Sequence, residues 1–261
     1  LLLLPGLIVL VPSAVGMRGN IFAALGSRLG SALHMGTLDR FSMQNTVVRD
    51  NVKANITLTI IMSVVLGVLA ESLSRALGIE SIGLFSFILI SFIAGTLAGL
   101  FLLLITFGTA RMSYNKGWDL DNIQAPMITA LGDFVTIPLL LIAAFLVQGM
   151  QVYAGYAAIA AVVVIAIAMM NLFLAFKAKP DKQGFSYKFI VIQSLPVLVL
   201  AGFLDSIAGI VIGVNIHAIL AVPIILVVLP AFIAEGGNIG NILASRLSTK
   251  LHLGTLDVNL Q

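Results

Sequence analysis

Phe134–Phe176 reads FVTIPLLLIAAFLVQGMQVYAGYAAIAAVVVIAIAMMNLFLAF, without a single charged side chain. A helix that crosses hydrocarbon needs ~20 mostly apolar residues. This run is long enough to cross twice, with the uncharged stretch Gln148–Gly155 available for the turn. Ser81–Ala110 is likewise free of charge and crosses once. A soluble core does not require runs of that length, so the chain is expected to be an all-α membrane protein, a polytopic helical bundle. Composition agrees: 60% of the 261 residues are hydrophobic and only 10% are charged, against ~25% charged in soluble domains.

Working outward, apolar runs predict seven spans at about 1–27, 55–78, 82–110, 123–147, 153–176, 189–212 and 217–245. Prolines inside them, such as Pro12, Pro138 and Pro196, do not argue against helix, because neighbouring helices can satisfy freed backbone groups. The chain opens at Leu1–Leu4 with no Met and no charged segment before the apolar stretch. It therefore reads as a piece that begins inside a helix rather than as a signal peptide. Cysteine is absent, which excludes disulfides and thiolate metal sites, and His34, His217 and His252 are too scattered for a zinc site.

The net charge of +3 points to orientation, not to nucleic acid. Of 14 Lys and Arg residues, 12 fall in loops that share one side if the first span ends in the cytoplasm. Arg75 lies on the other side and Arg18 inside a span, so the basic side is expected to be cytoplasmic.

Self-similarity refines the architecture. Pro12–Asp39 reads PSAVGMRGNIFAALGSRLGSALHMGTLD, and Pro230–Asp257 reads PAFIAEGGNIGNILASRLSTKLHLGTLD. At a constant offset of 218, 14 of 28 positions are identical, including Gly19/Gly237, Asn20/Asn238, Ser27/Ser245, Arg28/Arg246, His34/His252 and Asp39/Asp257. Matched leucines arise by chance, but matched Gly-Asn and Leu-His-x-Gly-Thr-Leu-Asp do not, so an internal duplication is expected. Both copies end on the same side, which makes the repeats parallel rather than inverted. The expected division is a first repeat at 1–150 lacking its first helix, a connecting helix and basic loop at 151–187, and a truncated second repeat at 188–261.

Ionisable and amide side chains inside spans are costly and become functional candidates. Asp133 lies near mid-span, with Thr129 and Thr136 a turn to either side and Pro126 freeing a backbone carbonyl. Oxygen ligands around one carboxylate suit a partly hydrated Mg²⁺; the structural alternative is an Asp bonded to a neighbouring hydroxyl. Asp119 and Asp121 sit at the mouth of that span, where they either concentrate cations or cap the helix. Gly19–Asn20 and Gly237–Asn238 supply either pore-lining oxygens or a small-residue helix interface. Arg18, opposed by Gly236, and Glu235, opposed by Met17, are candidate pore-modulating residues of one half each. Asp205 can be merely interfacial. His34 and His252, with Asp39 and Asp257, read as solvated helix ends more readily than as metal ligands.

At these residues the chain resembles the MgtE-type magnesium transporters and, more closely, their two-repeat relatives among the solute-carrier divalent-cation transporters. The resemblance rests on P-x(6)-G-N at Pro12–Asn20, P-x(5)-G-G-N at Pro230–Asn238, the following A/G-S-R-L, and D-x-D-N-I-x-x-P…G-D at Asp119–Asp133. It implies a five-helix unit used twice around one pore, with the cation held at Asp133 and Asp119 near the cytoplasmic entrance. The expected cation-binding set is Asp133, Thr129, Asn20, Asn238, Gly19 and Gly237. Arg18 departs from the G-G-N pattern, and the regulatory domains of the family have no counterpart in this stretch.

The expected function is transport of Mg²⁺ or a related divalent cation through the bilayer of a plasma membrane, by a protein that is not an enzyme. The ion is cargo and no cofactor is expected; homo-oligomers are compatible with this reading. Na⁺-coupled divalent-cation exchange is the alternative within transport. An intramembrane enzyme needs a nucleophile–base pair or paired ligands within the spans, and the sequence offers neither.

Overall fold

The computed structural model describes residues 6–38, 42–150, 154–179, 186–215, 221 and 224–255, and seven long helices lie among these described residues. Side chains at 225–227 and 229–234 are outside that description, as are Asp39, His217 and Asp257. The helices are α1 (Leu7–His34), α2 (Thr46–Ala76), α3 (Leu84–Lys116), α4 (Leu120–Met150), α5 (Ala154–Lys177), α6 (Tyr187–Val214) and α7 (Ile224–His252). Six of them, α1 to α6, are long and apolar enough to cross a membrane. The chain is an all-α, multi-pass membrane bundle.

Helices overrun the apolar spans at their basic ends, because a helix stops at a cap rather than at the edge of hydrocarbon. α2 begins at Thr46, where the Asn45 side chain accepts the Val47 N–H at 2.9 Å. α3 runs on to Lys116 and is closed by Gly117 in the left-handed region, with the Trp118 N–H bonded to the Ser113 carbonyl. The two copies of the repeated motif end in the same way. Gly36 (φ 68°) and Gly254 (φ 66°) both turn left-handed. Thr37 and Thr255 then donate their N–H groups to Ala32 and Lys250, each at 3.0 Å. The identical Gly-Thr pair in each copy accounts for the identical turn.

α1 is the hub. Leu7, Leu10, Met17, Ile21, Leu25 and Leu29 are all buried, and α1 packs against α2, α3, α4, α6 and α7. Among the described residues α6 contacts α1, α2 and α5 but not α7, while α7 contacts α1 and α4. The helix that precedes α7 in sequence is thus seated on the first half of the chain. Several contacts bring the basic helix ends together at one end of the bundle. His34 meets Asp119, the Tyr187 N–H donates to Asp50, and Ser31 meets Thr249.

Small residues allow the closest approaches, as expected where lipid tails compete for apolar contact. A Cβ built on Gly67 of α2 would lie 2.7 Å from the Ile88 nitrogen and 2.8 Å from its Cα, both backbone atoms of α3. On Gly209 of α6 it would lie 2.7 Å from the Val9 carbonyl oxygen of α1. Backbone cannot yield as a side-chain tip does, so larger residues at these positions must push helices apart. Gly67→Val is expected to destabilise the bundle by about 1–3 kcal/mol, the usual cost of overpacking, read as a lower thermal midpoint in detergent. Substitution at Gly108, whose Cβ position is open, leaves the midpoint in place.

Candidate functional site

α1, α4, α6 and α7 enclose a cavity of about 480 Å³. Its walls carry Asn20, Ser27 and Arg28 from α1, Asp121 and Gln124 from α4, and Asn241 and Ser245 from α7. Gln193 and Ser194 of α6 and Ser248 of α7 add to the polar lining. So many amide and hydroxyl groups facing one space between membrane helices make it the candidate site.

Its polar groups are held from outside. Arg28 donates through Nε to Asn51 Oδ1 at 2.6 Å and through Nη2 to Asn55 Oδ1 at 3.3 Å, both on α2. Asn51 is itself anchored, donating to the Val47 carbonyl at 2.9 Å. Gln124 Oε1 accepts from the Thr109 hydroxyl of α3 at 3.0 Å, and its buried Nε2 has no partner among the described residues. The Gln124 side chain occupies the space where a Cβ on Gly26 would sit, so Gly26 is what admits it.

Two contacts join the second copy of the motif to α4 and to the first copy. Asp121, 4% exposed, accepts the Ser245 hydroxyl of α7 at Oδ1, 2.7 Å away. Ser31 and Thr249 share a hydrogen bond of 3.0 Å across a sequence separation of 218. That separation equals the offset between the copies, so a residue touches its own counterpart. Such a contact is what an approximate two-fold axis through this point produces.

The sequence-derived candidates distribute unevenly about this centre. Asn20 and Asp121 line the cavity. Asp119 stands beside it as the cap of α4, accepting the Asp121 N–H at 3.0 Å and the Asn122 amide at 2.9 Å. Thr129 and Asp133 lie further along α4, half-buried on a stripe shared with Pro126, and are not part of the cavity wall. Gly19 is half-buried with open space at its Cβ position, and Gly237 and Glu235 are exposed. Asn238 is buried, with its Oδ1 unpartnered among the described residues. Arg18 is 1% exposed and packs on α3 at Gly95, with Nε and Nη1 unpartnered among the described residues. Its guanidinium meets no acid among the described residues.

Ser245, Arg28, Gln124 and the α6 pair Gln193–Ser194 were not singled out as site residues from sequence. Ser27/Ser245 and Arg28/Arg246 did carry a signal, as identities between the two copies. Gln124, Gln193 and Ser194 carried none, because only the helix packing turns them towards one cavity. Since the chain has no cysteine, Ser31→Cys with Thr249→Cys is expected to cross-link under mild oxidant in the membrane. A Ser31→Cys, Leu243→Cys pair is not, because Leu243 is exposed elsewhere on α7.

Comparison with known proteins narrows what this arrangement serves. The sequence profile of MgtE, described as divalent cation transporter, matches residues 11–143. Solute carrier family 41 member 2 of Gallus gallus is 26% identical over 95% of this chain and 43% of its own length. Solute carrier family 41 member 3 of Mus musculus is 26% identical over 98% of this chain and 52% of its own length. The chain spans about half the length of the curated relatives it matches. No solved structure matches it.

Proposed function

The chain belongs to the MgtE family of divalent cation transporters, and from that premise we propose that it forms part of a path for Mg²⁺ or a related divalent cation across the bilayer. The path runs between two parallel repeats, one contributing α1 and α4 and the other α7. The observation that carries this reading is the pair of contacts that α7 makes with α4 and α1, Asp121 to Ser245 and Ser31 to its counterpart Thr249. Both lie where a pore between two-fold related halves would narrow at its basic end. The chemistry of the lining agrees: hard cations take oxygen ligands and give up water reluctantly, and the cavity offers amide, hydroxyl and carboxylate oxygens.

Asp133 is assigned the central carboxylate. A carboxylate within a span is costly unless it serves a polar path. Its stripe on α4, with Thr129 and Pro126, is only half-covered by the described helices. Asn20 and Asn238 add neutral oxygens on the two copies. Nothing in this assignment needs a resident cofactor.

The test is ion flux in proteoliposomes containing the full-length protein. Asp133→Asn keeps size and removes the charge, so Mg²⁺ flux is expected to fall at least tenfold while the thermal midpoint stays put. Full flux in that variant would remove Asp133 from the path. The same vesicles with and without a Na⁺ gradient separate a channel, indifferent to the gradient, from an exchanger, which requires it. A folded wild type that passes no Mg²⁺, Mn²⁺ or Co²⁺ under either condition would overturn the transport reading.

A further inference from the structure

Where α1 ends and α4 begins, three side chains converge that a sequence reading has no means of joining. His34 Nε2 lies 3.7 Å from Asp119 Oδ1 and 4.0 Å from Asp121 Oδ2. One ligand atom from each of the three residues falls within 4.8 Å of the others. Two donors bound to one ion at about 2.1 Å each stand up to ~4.2 Å apart. Small side-chain rotations therefore bring all three onto a single cation.

Asp121 gives a second and independent indication. Its side chain is 4% exposed, and Oδ1 is taken by the Ser245 hydroxyl. Oδ2 accepts no hydrogen bond among the described residues and is turned towards the imidazole. On a side chain with so little access to water, a carboxylate oxygen without a donor is costly, and a cation shared with His34 and Asp119 would relieve it. The other two groups are positioned rather than loose. Asp119 is fixed by the Asp121 N–H and the Asn122 amide, and His34 sits in the last turn of α1. Gly30, one turn earlier, leaves the room: a Cβ there would lie 2.7 Å from Asp121 Oδ1. The His34 and Asp119 side chains are 42% and 39% exposed, so an ion arriving from water can reach them and keep some of its shell.

We infer that His34, Asp119 and Asp121 form a binding site for a first-row transition divalent cation at the mouth of the cavity. The nitrogen ligand decides the class. Carboxylates and water serve Mg²⁺ and Mn²⁺ alike, whereas imidazole favours the later first-row ions over Mg²⁺. Ser245 belongs to α7, so its hydroxyl orients a ligand on α4, in the way outer-shell partners set metal ligands. Occupancy of the site is thereby tied to the approach of α7 to α4. That the site lies on a permeation path rests on the transport reading; that it binds a metal does not.

The experiment is pulsed electron paramagnetic resonance of Mn²⁺ added to the full-length protein in detergent. A directly bound imidazole gives a ¹⁴N coupling that no all-oxygen pore site can give. The coupling is expected in wild type and in Asp133→Asn, and lost in His34→Ala and His34→Gln, with at least tenfold weaker Mn²⁺ binding at this site. Asp121→Asn is expected to weaken binding similarly. Circular dichroism and elution volume check that each variant is folded, and His34→Gln keeps the polar size of the side chain. A ¹⁴N coupling that persists in folded His34→Ala, or its absence from wild type at saturating Mn²⁺, overturns the assignment. Mg²⁺ flux measured on the same preparations separates the two ideas. Coupling present with no flux retains the metal site and removes the transport reading, and flux without coupling does the reverse.

Discussion

Hydrocarbon offers a peptide group nothing to bond to, so a chain crossing it must pair every N–H and C=O within itself. That constraint makes every described crossing a helix and leaves only side chains to hold helices together. Lipid tails are as apolar as leucine, so greasy contact alone selects no partner. Specificity comes from small residues that let backbones meet and from polar groups that would otherwise be stranded. Gly67 against Ile88 and Gly209 against Val9 are the first kind. Arg28 with Asn51 and Asn55, and Gln124 with Thr109, are the second.

Both kinds meet along α1, which is buried against five other helices. Its apolar stripe fixes its neighbours, while Asn20, Ser27 and Arg28 turn to the cavity. The face of α1 at Gly16 is so close to α6 that the Asp205 carboxylate fills the space beside it. The arrangement couples the copies mechanically. Any shift of α7 relative to α1 and α4 must break or remake the bonds at Thr249 and Ser245. Two-state movements in membrane transporters of repeat architecture are largely rigid rocking of one part on another, and these bonds sit where such a movement would be felt.

Membrane class was legible because it depends on sums over long windows: Phe134–Phe176 has no charge wherever its helices end up pointing. Helix ends were less legible. α2 begins well before its apolar span because Asn45 caps it, and a cap is a single residue's bond rather than a window property. Of the candidate residues, Asp121 carried its chemistry openly in Asp-x-Asp-Asn, yet its partner Ser245 lies 124 residues away. His34, with Asp39 after it, read as a solvated helix end following its span; Asp119 and Asp121 come to it only when α4 packs on α1.

By itself, then, the sequence determined the solvent this protein lives in, the apolar spans, the basic end, and the two copies of one motif offset by 218 residues. These are properties of composition, period and identity, which do not depend on how helices are arranged about one another. The tertiary structure alone decided that α6 leaves α7 for α1, that Gln124 fills the space at Gly26, and that His34 faces Asp119 and Asp121. The reason is geometric. Hydrophobicity tells a helix to enter the bilayer, but its rotation about its own axis and its choice of neighbour are set by which small residues can touch and which polar groups must find a partner.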